Sequence, residues 1–79
     1  MSRKIKLIWD FRGPTAFKIS EHHEKHLKEY IATENIALNI TGHQEVNELY
    51  SIAYMVVEEG NMIKVRDNLK PHRGEVYNP

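Results

Sequence analysis

The sequence predicts a single α+β domain of order βαββαβ. Three observations carry that reading: an alternating opening segment, a long helical stripe free of Gly and Pro, and a run near residue 55 that is apolar on both faces. Seventy-nine residues leave room for one folding unit, residues 1–79, with a thin core.

From Lys4 to Phe11, Ile5, Leu7, Trp9 and Phe11 alternate with Lys4, Lys6, Ile8 and Asp10. A period of two with one fully apolar face is a strand. Arg12-Gly13-Pro14 breaks the pattern, because Gly13 permits a sharp change of direction and Pro14 suits the first turn of a helix. A helix is expected from about Pro14 to Glu34, with Ala16, Ile19, His23, Leu27 and Ile31 buried on one stripe that also holds Ser20 and Tyr30. Glu21, Glu24 and Glu29 interleave with Lys18, Lys25 and Lys28 on the opposite, solvated side.

Ile36, Leu38 and Ile40 alternate with Ala37, Asn39 and Thr41, so a second strand is expected over Ile36 to Thr41, ended or bulged by Gly42. Val46 to Val57 also fits a helical stripe. The β-rich run Ile52 to Val57 favours a central strand from about Tyr50 to Val57. After the polar break at Glu58-Glu59-Gly60-Asn61, Met62, Val65, Arg66 and Leu69 repeat at helical spacing until Pro71. Glu75 to Tyr77 is either a brief last strand or a tail.

Eleven basic residues balance eleven acidic ones, so no overall field draws the chain to nucleic acid or to an anionic bilayer, and neither is an expected partner. There is no cysteine, which excludes disulfides, thiolate metal sites and a thiol nucleophile. The first apolar run is too short and too charged for a signal sequence, and a cytoplasmic location is the expectation.

In a split βαβ plan both helices cover one face of a four-stranded antiparallel sheet, and the other face stays open. Ile8 and alternate residues of the third strand would leave that face apolar. A homodimer pairing the open faces is therefore expected, with Met55 or Tyr54 near its centre and folding coupled to association. The layout resembles the ferredoxin-like dimeric α/β-barrel superfamily. Ile5-Lys6-Leu7-Ile8-Trp9, His26-Leu27 with Tyr30, and Ala53 to Glu58 look like its small YCII-related members, although Asp67-Asn68-Leu69 stands where those chains carry an Asp-Pro-aromatic segment. The resemblance implies sheets packed around a pocket, in a superfamily ranging from monooxygenases and isomerases to ligand-binding modules.

Four groups of residues could carry chemistry. Asp10, on the Lys6 and Ile8 face, and His23, inside the apolar stripe, are candidates for an acid/base pair acting on a small aromatic or carbonyl compound. The alternatives are a carboxylate paired with Lys or Arg and a satisfied core histidine. Tyr54 could share a pocket with Asp10, and Arg12 beside the start of the helix could hold a phosphate or carboxylate. His22 and His26, four apart on one helical face, could chelate Zn²⁺, Ni²⁺ or Cu²⁺ with a third ligand such as His43 or His72. Two histidines alone make a weak site, so neither a resident metal nor any other cofactor is expected. Lys64, Arg66, Lys70, His72 and Arg73 form the fourth group, interspersed with acids as on a mixed, solvated surface. The leading expectation is a small homodimeric ligand-binding module; an acid/base enzyme and a histidine metal-binding protein are the alternatives.

Overall fold

The computed structural model describes residues 3–78. Its elements run β1 (Lys4–Arg12), α1 (Ala16–Thr33), β2 (Ile40–Asn47), β3 (Tyr50–Glu58), a 3₁₀ turn (Glu59–Asn61), α2 (Met62–Leu69) and β4 (Arg73–Val76). The sheet is antiparallel throughout, in the order β2-β3-β1-β4. This is the ferredoxin-like plan, and residues 50–58 form its long central strand rather than a helix.

The alternation in β1 sets the two faces. Ile5, Leu7 and Trp9 pack with Met55 and Val57 of β3, Leu27 and Ile31 of α1 and Val65 of α2, so both helices cover the same face. Each of these residues is at least nine-tenths buried. The Trp9 indole Nε1–H donates to the Leu69 carbonyl at 3.0 Å, which ties the last turn of α2 to β1. Lys70 then ends α2 in the left-handed region, at φ 50°. At the other end of β1, Gly13 has φ 120°, a conformation that favours glycine, and its N–H donates to the Leu49 carbonyl.

Three expectations about local structure are corrected. Ile19 is 45% exposed, and Ser20 is buried instead. At 100° per residue, the face defined by Ala16, Ser20, His23, Leu27 and Ile31 has its centre about 80° from Ile19, so Ile19 lies off its edge. The second strand starts at Ile40 and continues through Gly42 to Asn47; Ile36 packs half-buried against the core from the preceding loop. Gly42 belongs inside the strand because the Tyr54 ring lies directly over it, where any Cβ would collide. Finally, Met55 faces the helices and is fully buried, so it cannot sit in an interface between open sheet faces.

The open face carries Lys4, Lys6, Ile8, Asp10 and Arg12 of β1 opposite Glu58, Val56, Tyr54, Ile52 and Tyr50 of β3, with Arg73 and Glu75 of β4 on the other flank. Its apolar members are already dry: Ile8, Ile52 and Val56 are 1%, 7% and 0% exposed. The longer side chains of the same face shield them, Lys6 lying over the Tyr54 ring at 4.3 Å and Arg12 over the Tyr50 ring at 4.2 Å. Total accessible surface is 5304 Å², close to the roughly 5,000 Å² of a folded monomer of this size. The aliphatic residues of the open face, Ile8, Ile52 and Val56, thus leave little apolar surface for a second copy to cover. Among the described residues no helix is long and apolar enough to cross a membrane.

Candidate functional site

The open face gathers its polar side chains at the C-terminal end of β1. Register places Asp10 opposite Ile52, two residues from Tyr50 on the same face of β3, while β4 brings Arg73 beside Ile8 on the other flank. The Arg73 fork grips the carboxylate, Nε to Oδ2 and Nη2 to Oδ1, each at 3.2 Å. The Tyr50 hydroxyl donates to Asp10 Oδ1 in a short hydrogen bond and accepts from Arg73 Nη2 at 3.3 Å. Arg12, stacked on the Tyr50 ring, brings a second guanidinium to the cluster.

The electrostatics follow from these contacts. The Arg73 hydrogen bonds hold the Asp10 carboxyl below its usual range, helped by Tyr50 and by the charges of Arg73 and His72, against a partial burial that pushes it up. Asp10 is thus a fixed carboxylate at neutral pH rather than a proton donor. His72 closes the group from behind: its Nδ1 accepts the Asp10 backbone N–H at 2.8 Å, which leaves the ring proton on Nε2 of the neutral tautomer. With that nitrogen accepting, its 4.0 Å approach to Asp10 Oδ2 is no ion pair in the neutral tautomer.

His23 lies on the other side of the sheet. It projects from α1 against Trp9 and Phe11, with ring centroids 4.9 and 5.4 Å away. Its Nε2 is buried without a hydrogen-bond partner. Burial lowers its pKa from the ordinary value, and the nearby His26, His72 and His22 lower it further. Asp10 and His23 therefore do not meet, since the sheet separates them. Tyr54 shares the open face with Asp10 and Arg12, but its ring is taken up by Gly42 and Lys6, and the phenol that reaches Asp10 is that of Tyr50. His22 and His26 meet on the exposed side of α1, Nε2 to Nε2 at 3.0 Å. Among the described residues no group of three or more His, Asp or Glu side chains could hold a metal ion.

A second polar cluster escaped sequence reasoning. Glu24 of α1 accepts from His43 Nδ1 at 2.6 Å and from the Thr41 hydroxyl at 2.8 Å, with Lys28 Nζ at 3.5 Å. Burial pushes the Glu24 carboxyl up, but the bonds from His43 and Thr41 and the charges of Lys28 and His43 outweigh it and hold it below the usual range. The pair ties α1 to the edge strand β2 and orients the His43 ring, whose flank Phe17 meets edge-on at 5.3 Å. Alternation alone could have placed Thr41 and His43 on one face of a strand; an expected end at Thr41, six residues short of Asn47, left His43 out.

Among the shallow clefts, two adjoin the helices, and the first reaches the flank of the open face at Arg73 and Glu75. One, of about 430 Å³, runs between α2 and β4 over Ile5, Leu7 and Met62, rimmed by Arg66 and Glu75. The other, of about 440 Å³, lies beside the end of α1 at Lys28, Ile31 and Asn35. No family model, curated protein or solved structure matches this chain.

Proposed function

We propose that this chain is a small ligand-binding module whose working surface is the open sheet face, and that it takes a small organic carboxylate there. The observation that carries this reading is the Asp10–Tyr50–Arg73 cluster with Arg12 stacked beside it: one guanidinium and a phenol hold the Asp10 carboxylate, and a second guanidinium lies over the phenol ring without a bond to Asp10. An incoming carboxylate finds preorganised donors with a surplus positive charge, beside a dry floor of Ile8 and Ile52. The acid/base alternative loses support, because Asp10 is pinned as an anion and His23 is on the far side of the sheet.

A second copy laid sheet to sheet closes this surface into a pocket, as in the dimeric α/β-barrel layout and its small YCII-related members that the chain resembles. Because the apolar floor is already shielded within one chain, the proposed homodimer is held by polar and aromatic contacts and is reversible. Calorimetric titration with benzoate tests the ligand reading. Millimolar or tighter binding that is lost in Arg73→Gln supports it; equal heats from wild type and variant overturn it.

A further inference from the structure

His22 and His26 lie one turn apart on the solvent-exposed side of α1, away from the open sheet face. Their rings stand nearly perpendicular, 81° apart with centroids 4.6 Å from one another, and the two Nε2 atoms converge to 3.0 Å. Without a metal that approach is a single N–H···N hydrogen bond, which needs opposite tautomers on the two rings. With Nε2 unprotonated on both rings, the same separation also fits two ligands on one ion.

The separation selects among ions. Metal–imidazole bonds of about 2.0–2.1 Å spanning 3.0 Å subtend about 95° at the metal, near the right angle between neighbouring ligands in tetragonal coordination and well below the tetrahedral angle. We propose that His22 and His26 form a bidentate site for Cu²⁺, and more weakly Ni²⁺, with the remaining positions filled by water. Imidazole suits both ions, and Cu²⁺ stands highest in the order of divalent affinities. His43 and His72 do not complete the site, because among the described residues no third His, Asp or Glu side chain joins the pair in a group that could hold one ion. With two protein ligands the ion exchanges freely, so the site answers to added metal rather than retaining one through purification. The ion also clips one turn of α1, and binding to the folded chain raises its thermal midpoint.

The test is a Cu²⁺ titration of the full, tag-free chain, read by electron paramagnetic resonance and by thermal unfolding. The expected result is one reversibly bound ion per chain with a tetragonal spectrum showing two nitrogen couplings and a raised midpoint. Affinity should fall by more than an order of magnitude in both His22→Ala and His26→Gln, each still helical by circular dichroism, and stay unchanged in His43→Gln. Wild type and the two α1 variants binding Cu²⁺ alike, as at the terminal amine, overturns the proposal.

Discussion

The phenol ring of Tyr54 on β3 lies across Gly42 on the neighbouring strand, occupying the space where any larger residue would place its Cβ. Lys6 covers the outer side of the same ring. A glycine in the middle of an edge strand, ordinarily a weakness, is here what lets an aromatic side chain lie flat and seal the open face.

Gly42→Ala should therefore destabilise the fold by about 1–3 kcal/mol, as overpacking does. Pairing it with Tyr54→Leu should recover most of that loss in a double-mutant cycle measured by urea denaturation. Additive losses would show that the ring and the glycine are independent.

The helical stripe makes a contrast between two apolar residues of α1. Leu27 is 1% exposed within the core, and Leu27→Ala should cost about 2–5 kcal/mol. Ile19→Ser, at a position 45% exposed, should stay within about 0.5 kcal/mol of the parent. Similar costs at both positions would contradict the placement of the stripe.

His23 gives the protein a pH dependence of definite sign. Its folded pKa lies below the ordinary value, first through burial and then through the charges of His26, His72 and His22, so the unfolded chain takes up the proton more readily. Its contribution to stability is present above about pH 6.5 and is lost as pH falls through the lower folded value. Asp10 and Glu24 have the same sign further into acid. Urea midpoints should fall between about pH 7.5 and about pH 5.5, and less so in His23→Leu. A decline equally steep in that variant would assign the effect elsewhere.

Arg73→Gln removes the fork from Asp10 and should raise the Asp10 pKa toward the usual carboxylate range, seen in a carbon-detected titration of its carboxyl. An unmoved titration would mean that Tyr50 alone sets the Asp10 charge state.

Much of the scaffold was legible in residue order, and little of the site. β1, α1 and β3 announce themselves because each has a strong period or a long run of one character. β2 was misplaced because Ile36 and Leu38 alternate in a loop that merely approaches the core, while the paired residues from Gly42 to Asn47 include none with a clear apolar period. Asp10 was identifiable as a face-defining carboxylate, but its partners stand 40 and 63 residues away and meet it only through the register of three strands. The burial of Ile8 and Val56 was illegible for a similar reason: it depends on how Lys6, Tyr54 and Arg12 lie down on the sheet.

The central claim is that the open sheet face is the ligand-binding surface, and a residue-resolved amide-shift map recorded during benzoate titration tests it most directly. The predicted result is a set of shifts confined to residues 8–12, 50–54 and 73, growing together to a single saturation point. Shifts confined instead to Met62, Arg66 and Val76 along the α2–β4 cleft, or none at saturating benzoate, would contradict it.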